Sequence, residues 1–117
     1  MSKVILIIDD QPDALRALSL WLQLRGYTVH MAENGEAGVA LASVLRPDVV
    51  LCDLGLPDID GFTVARRLRH MQPLPVLAAL TGYGSDADRA RSKAAGFIRH
   101  FLKPADLNEV LALIEAA

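Results

Sequence analysis

Five short apolar runs, each followed by a longer segment of helical periodicity, are the feature that most limits how this chain can fold. The runs cover residues 4–8, 27–31, 48–52, 76–80 and 97–102. Because they are apolar on both faces, they are typical of strands in a parallel sheet that helices cover on either side. The alternation therefore predicts an α/β fold with a doubly wound, five-stranded parallel sheet.

Five helices are predicted between and after these runs. Their limits follow from periodicity and from the positions of Pro and Gly, and give residues 12–26, 35–45, 62–71, 86–95 and a last helix that begins at Pro104 or Ala105. Apolar residues of the first helix recur at steps of three and four, so they should face the sheet. They are Leu15, Leu18, Trp21 and Leu22.

Length and composition narrow the functional class. A chain of 117 residues is of single-domain size, and we expect residues 1–117 to form one domain with no output domain. No apolar run approaches a membrane span and no signal peptide is evident, which predicts a cytoplasmic protein that contacts no membrane. The net charge of −2 argues against direct binding of nucleic acid. Cys52 lies in an apolar run and is predicted to be a buried, inert thiol.

Polar residues gather where the predicted strands end. Asp9 and Asp10 follow the first strand, Asp53 the third, Thr81 the fourth and Lys103 the fifth. An Asp after a strand is commonly only a turn former or a helix cap. In a sheet of this kind, however, the carboxyl ends of the strands share one rim, where ligands bind. The set therefore predicts one site with three carboxylates, one hydroxyl and one ammonium.

The chemistry of this set indicates phosphoryl transfer. Carboxylates that lie close together repel unless a cation relieves them, and hard oxygen ligands suit Mg²⁺ or Mn²⁺. One carboxylate can then attack phosphorus and form an aspartyl phosphate. Asp53 is the natural nucleophile because it ends the central strand, while Lys103 and Thr81 are of the right types to offset the charge on phosphoryl oxygens.

Over essentially the whole chain, the sequence resembles the receiver domain of bacterial two-component response regulators. The motifs that carry the resemblance are Ile7-Ile8-Asp9-Asp10, Asp53-Leu54-Gly55-Leu56-Pro57-Asp58-Ile59-Asp60-Gly61, Leu80-Thr81-Gly82 and Leu102-Lys103-Pro104. The resemblance implies a flavodoxin-like strand order of 2-1-3-4-5. The stretch 80–84 is more similar to receivers of hybrid sensor histidine kinases than to those of DNA-binding regulators.

The resemblance also implies roles for the site residues. Asp53 would be the phosphorylation site in a His-to-Asp phosphorelay, and a histidine kinase or a histidine phosphotransfer protein would be the donor. Asp10 would bind the metal directly, Asp9 would hold it through water or position Asp10, and the backbone carbonyl of Gly55 would be a further ligand. Such a domain is not a dedicated enzyme, although it catalyses its own phosphorylation and dephosphorylation.

Two more roles follow from the same resemblance. Thr81 would bond the phosphoryl group in the active state, and Lys103 would pair with that group or, before reaction, with Asp53. The peptide between Lys103 and Pro104 is typically cis in this family. Position 55 and position 83, here Gly55 and Tyr83, would flank the attacking water and so affect the lifetime of the phosphoryl group.

Residues at two further places bear on switching and on partners. His100 stands where the family often has Tyr or Phe; we expect it to be at least partly exposed, with a modest role in switching. Ala17, Leu20 and Leu24 lie at helical steps and should face outward, where they could dock a kinase, or else be isolated exposed apolar residues. A downstream protein target and a homodimer are also possible partners.

Functions of other classes fit less well. A small-molecule phosphatase with an Asp nucleophile typically has two aspartates separated by one residue after the first strand, whereas Asp9 and Asp10 are adjacent here. A flavodoxin-like cofactor carrier needs a phosphate-cradling loop after that strand, and the acidic segment 9–13 would repel phosphate. A scaffold receiver that is never phosphorylated would not need the intact set of site residues.

Overall fold

A computed structural model describes residues 2–82 and 86–117, so Tyr83 lies outside the described residues. Within them the strands are Val4–Ile8 (β1), Thr28–Ala32 (β2), Val49–Asp53 (β3), Val76–Thr81 (β4) and Arg99–Leu102 (β5). The helices are Pro12–Leu24 (α1), Gly35–Leu45 (α2), Gly61–Leu68 (α3), Asp86–Ala95 (α4) and Leu107–Ala116 (α5). Strands and helices alternate as the apolar runs predict.

The strands form one parallel sheet in the order β2-β1-β3-β4-β5, which confirms the expected topology. Ile8 pairs with Cys52, and Cys52 pairs with Ala79 in the next strand. This register brings the carboxyl ends of the three central strands to the same level. Side chains that follow these ends therefore meet at one rim.

Successive residues along a strand point to opposite faces of the sheet, and they form a separate apolar core on each side. On one side, Leu6 and Ile8 of β1 pack with residues of α2, α3 and α4. On the other side, Ile5 and Ile7 pack with residues of α1 and α5. In α1, Leu15 and Leu22 are buried and the predicted partners Leu18 and Trp21 pack against the same core at partial burial. Helices thus cover both faces of the sheet, which explains why its strands are apolar on both sides.

Several limits of helices and strands differ by one to three residues from those predicted. The last helix begins at Leu107 instead of Pro104 or Ala105, because the Asp106 carboxylate accepts hydrogen bonds from the amides of Asn108 and Glu109 and so caps the helix there. The third helix ends at Leu68, three residues before the predicted end at Met71. The fifth strand begins at residue 99, two residues later than the apolar run.

No helix in the described parts of the chain is both long enough and apolar enough to cross a membrane.

Candidate functional site

The rim at the carboxyl ends of the strands brings three carboxylates together. Asp9, Asp10 and Asp53 each place one carboxylate oxygen within 4.8 Å of the others. Asp9 and Asp53 are buried, whereas Asp10 is exposed. Two of the three charges are therefore removed from bulk water, and the third lies at the mouth of the site.

One ammonium group joins the two buried carboxylates. Lys103 Nζ lies 2.9 Å from Asp9 Oδ2 and 3.1 Å from Asp53 Oδ2. The backbone amide of Lys103 donates to the Thr81 carbonyl over 2.7 Å, and its peptide bond to Pro104 is cis, as the motif implies. Partial burial lowers the pKa of the Lys103 ammonium, but its hydrogen bonds to the two carboxylates outweigh this effect and leave the pKa raised. Lys103 is therefore firmly protonated at neutral pH.

The remaining oxygen of each buried carboxylate accepts a backbone hydrogen bond. Asp9 Oδ1 accepts from the amide of Gln11 over 3.0 Å, and Asp53 Oδ1 accepts from the amide of Gly55 over 3.1 Å. Each side chain is thus held from two directions, by a local turn and by the shared ammonium. Their orientation is set before any ligand arrives.

The donor set fits a small divalent cation. Three formal charges of −1 from the carboxylates and one of +1 from Lys103 leave a charge of −2 at the rim. Carboxylate oxygens are hard ligands, and an exposed Asp10 leaves room for the waters that Mg²⁺ keeps. Both the charge and the chemistry of the site therefore match Mg²⁺ or Mn²⁺.

A cavity of about 530 Å³ opens over this rim and contains Asp53, Thr81 and Lys103 in its wall. Two other wall residues, Phe62 of α3 and Asp88 of α4, were not predicted from the sequence. Both lie in the first turn of a helix, so no strand-end pattern points to them. The cavity has room for a phosphoryl group beside the Asp53 carboxylate.

The loop between β3 and α3, which includes Gly55, is fixed to the start of α2. Asp58 accepts hydrogen bonds from the amides of Gly35 and Glu36, both over 2.8 Å. These bonds, the one from Glu36 foremost, lower the pKa of the Asp58 carboxyl to about 2. At the end of the loop, Asp60 accepts from the amide of Thr63 and caps α3. Sequence reasoning identified the motif but not the link to α2.

His100 on the edge strand β5 is half-buried, in line with the expected partial exposure. Its Nδ1 lies 3.2 Å from the hydroxyl oxygen of Ser92, a buried residue of α4. The next residue, Phe101, points to the opposite face of the sheet and is buried in the core there. His100 and Phe101 thus face opposite sides of the sheet, and the contact of His100 with Ser92 was not predicted from the sequence.

Three apolar residues of α1 face outward, as expected. Leu20 and Leu24 are 57% and 76% exposed, and Ala17 is also exposed. A second cavity, of about 680 Å³, lies between α1 and the segment after β5. Ala17 and Trp21 line it, but Leu20 and Leu24 are not among its lining residues. The structure therefore separates Ala17, in a groove, from two leucines on the surface beside it.

Cys52 is buried beneath the site, as predicted. Burial foremost, and then the nearby charges of Asp53 and Asp9, raise the pKa of its thiol far above the usual value. A thiol in this state is not a nucleophile at neutral pH.

Comparisons with known proteins agree with this geometry. Residues 5–115 match the family model of the response regulator receiver domain. The DNA-binding dual master transcriptional regulator RpaA of Synechocystis is 42% identical in an alignment 115 residues long, and the match covers 96% of this chain and 47% of RpaA. The chain thus spans about half the length of this relative.

Solved structures with the same fold include two informative cases. A CheY-like receiver domain protein from Methanospirillum hungatei is 28% identical with a TM-score of 0.92, and the match covers 99% of this chain and 93% of that one. A response regulator from Burkholderia pseudomallei, described with a phosphorylated aspartic acid, a calcium ion and citrate, is 31% identical with a TM-score of 0.89. That match covers 95% of this chain and 65% of the other.

Proposed function

This chain belongs to the response regulator receiver family, and from that premise we propose that Asp53 accepts a phosphoryl group from a phosphohistidine donor in a His-to-Asp phosphorelay. The observation that carries the assignment is the position of the Asp53 carboxylate. It ends the central strand, contacts the Lys103 ammonium and lies beside the carboxylates of Asp9 and Asp10 in the wall of a cavity.

In the proposed step a carboxylate oxygen of Asp53 attacks phosphorus. An O–P bond forms while the P–N bond to the donor imidazole breaks, and the leaving imidazole keeps the electron pair and takes up a proton. The Lys103 ammonium lies beside the attacking carboxylate and offsets charge on the phosphoryl oxygens. The Thr81 hydroxyl is a donor for the same oxygens once the group has been transferred.

Asp9, Asp10, Asp53 and the backbone carbonyl of Gly55 would hold Mg²⁺ or Mn²⁺. The cation would supply positive charge against the phosphoryl oxygens and relieve the repulsion among the carboxylates. The net charge of −2 on the donor set supports this assignment. The Burkholderia pseudomallei neighbour is described with a calcium ion, which is also a divalent cation, and with a phosphorylated aspartic acid, which is the product proposed for Asp53.

Receiver domains of response regulators are not dedicated enzymes. We propose that this one catalyses its own phosphorylation and dephosphorylation with the residues above. A small-molecule phosphatase is less well supported, because the family match covers residues 5–115 and the acids after β1 are adjacent. A scaffold receiver would show no phosphorylation at all, which the next experiment tests.

Incubation with acetyl phosphate and Mg²⁺, followed by intact-mass spectrometry, tests the assignment of Asp53. The wild-type chain should gain one phosphoryl group that hydroxylamine removes, and Asp53→Asn should gain none. Asp13→Asn is the matched control because Asp13 is an exposed carboxylate in the first turn of α1 that belongs neither to the three-carboxylate group nor to the cavity wall. Labelling that persists in Asp53→Asn would overturn the assignment, and an unlabelled wild type would favour the scaffold.

We propose that the phosphodonor, a histidine kinase or a histidine phosphotransfer protein, docks on the outer face of α1. The support is the pair of exposed leucines, Leu20 and Leu24, beside a groove that Ala17 lines and that reaches Lys103. A donor seated there would bring its phosphohistidine close to the rim.

A double variant, Leu20→Glu with Leu24→Glu, tests this docking surface. Transfer from a phosphohistidine donor that phosphorylates the wild type should slow at least about tenfold, because two charges would enter an apolar interface. Labelling by acetyl phosphate should be unchanged. Val44→Glu is the control, since Val44 is 81% exposed on α2 and outside this surface. Equal loss with both phosphodonors would show misfolding instead of lost docking.

The family match is compatible with further assignments that we propose. We propose a cytoplasmic location, a protein target or a homodimer as the reader of the aspartyl phosphate, and one receiver domain over residues 1–117, free-standing or within a hybrid histidine kinase. For His100 we propose a modest part in switching, because its imidazole already contacts Ser92.

A further inference from the structure

Asp58 links the loop that carries Gly55 to a different part of the protein. Its Oδ1 accepts from the amide of Gly35 and its Oδ2 from the amide of Glu36, each over 2.8 Å. Both carboxylate oxygens are thus committed to the first two amides of α2. These amides have no partner within their own helix, so the bonds are strong ones between a charge and a helix end.

The start of α2 has a second, local cap. Asn34 Oδ1 accepts from the amide of Ala37 over 2.8 Å, and the Asn34 carbonyl accepts from the amide of Gly38. Asn34 therefore serves the helix from its own preceding loop, whereas Asp58 serves it from the β3–α3 loop. Loss of either would weaken the helix end, but only loss of Asp58 would free the β3–α3 loop.

Packing at the same place is tight. A Cβ atom added at Gly35 would lie 2.4 Å from Ile59 Cγ1, so the backbone of α2 and the residue after Asp58 are in direct contact. At its other end the loop is closed by a hydrogen bond of 3.0 Å from the Gly61 amide to the Leu54 carbonyl. Residues 54–61 are thus held at two places, next to Asp53 and at Asp58.

Gly55 lies between these two places. It is exposed, and beyond its chain neighbours no atom of the described residues comes within 4 Å of the Cβ position it would have. Its amide donates to Asp53, and no residue that the structure describes donates a hydrogen bond to its carbonyl, so the course of the loop sets where that carbonyl lies. Anything that loosens the loop therefore displaces this carbonyl.

We propose that Asp58 is a positioning residue of the divalent-cation site. It acts through the β3–α3 loop to keep the Gly55 carbonyl within reach of a cation bound by Asp10 and Asp53. The proposal rests on the metal-dependent function proposed above. It makes cation affinity depend on a hydrogen bond between that loop and α2, and so couples the start of α2 to the phosphorylation site.

Binding of Mn²⁺, measured directly from the electron paramagnetic resonance signal of the free ion, tests this role without reference to activity. Asp58→Ala should raise the Kd for Mn²⁺ about tenfold, the lower end of the effect of outer-shell partners in metal sites. Asn34→Ala is the matched control. It should lower the urea midpoint by a similar amount but change the Kd less than about twofold, since both variants remove a cap from the same helix end.

A second variant and a rate measurement make the test independent of one substitution. Gly35→Ala would push Ile59 and the loop away from α2, and should raise the Kd while Asp58 is intact. The rate of acetyl phosphate labelling should fall in Asp58→Ala at low Mg²⁺ and return close to the wild-type rate at saturating Mg²⁺.

The outcomes separate the two proposals. A wild-type Kd in Asp58→Ala, or an equal rise in Asn34→Ala, would overturn the positioning role while leaving Asp53 as the phosphoacceptor. Failure of the wild-type chain to bind Mn²⁺ would overturn the metal-dependent function and the positioning role together.

Discussion

Two half-buried lysines at opposite ends of the sheet show how differently the same charge can be used. At the carboxyl end, Lys103 contacts the carboxylates of Asp9 and Asp53. At the amino end, Lys3 donates to the carbonyls of Ile114 and Glu115 over 2.6 and 3.1 Å, and to a backbone oxygen of Ala117 over 2.7 Å. One lysine contacts side-chain carboxylates and the other contacts backbone oxygens at the end of a helix.

The two ends of the sheet differ in how much charge remains uncompensated. Carbonyls at a helix end lack partners within the helix and carry partial negative charge, so a single ammonium satisfies them. Asp48, near Lys3, also bonds to a neutral backbone group, since its Oδ2 accepts from the amide of Val4 over 2.7 Å. At the carboxyl end one ammonium contacts two of the three carboxylates, and the group keeps a formal charge of −2. Charges at the amino end complete the fold, whereas those at the carboxyl end stay partly uncompensated and available to a ligand.

The largest effect expected from this contrast is that of Lys103→Met. Without the ammonium, the three carboxylates repel one another, and the free energy of unfolding in EDTA should fall by about 2 kcal/mol. Mg²⁺ should recover much of this loss and raise the melting temperature more than in the wild type, because the cation meets a more negative site. Urea and thermal unfolding with and without Mg²⁺ measure both effects.

The control for this variant is Lys93→Met, which removes an exposed lysine of α4 and should change neither quantity. If Lys103→Met were as stable as the wild type in EDTA, the carboxylates would not repel at these distances. The contrast between the two ends of the sheet would then be lost.

A smaller effect is expected at the other end. Lys3→Met leaves the carbonyls at the end of α5 to water and should lower the free energy of unfolding by about 1 kcal/mol. Because no carboxylate of the rim is involved, the loss should be equal in EDTA and in Mg²⁺. A loss that Mg²⁺ reverses would mean that the two ends are electrostatically coupled, contrary to the contrast drawn here.

Most of the carboxyl-end site could be predicted because it depends on strand ends alone. Apolar runs locate the strands, a parallel sheet brings their ends to one rim, and Asp9, Asp53 and Lys103 follow directly. Their close contacts are therefore a consequence of topology, which the alternation of runs already indicates.

Contacts between loops and distant helices could not be predicted in this way. The bonds from Asp58 to α2 and the contact of Ser92 with His100 depend on how far a loop extends across the surface. No periodicity encodes that distance. The start of α5 was misplaced for a related reason, since Pro104 is favoured in a first turn but the cap is formed by Asp106.

Ser19 is a buried polar residue that neither completes the fold, as Lys3 does, nor contributes to the site at the carboxyl end of the sheet. It is buried in α1, 2% exposed, and its hydroxyl is the buried side-chain oxygen without a hydrogen-bond partner among residues 2–82 and 86–117. An unpaired buried hydroxyl destabilises a fold, and Ala is also the better helix former. Ser19→Ala should therefore raise the free energy of unfolding by about 1 kcal/mol, in EDTA and in Mg²⁺ alike.

Ser43→Ala separates the two contributions to this gain. Ser43 is exposed on α2 and its hydroxyl bonds to the Ala40 carbonyl over 2.8 Å, so its replacement gains helix propensity of about 0.5 kcal/mol without removing an unpaired buried group. Urea unfolding should show a larger gain for Ser19→Ala than for Ser43→Ala. An equal gain would mean that burial of the Ser19 hydroxyl costs nothing. A loss of stability would mean that the Ser19 hydroxyl forms a hydrogen bond in solution. That hydrogen bond in α1 would then stabilise the fold, as the contacts of Lys3 do.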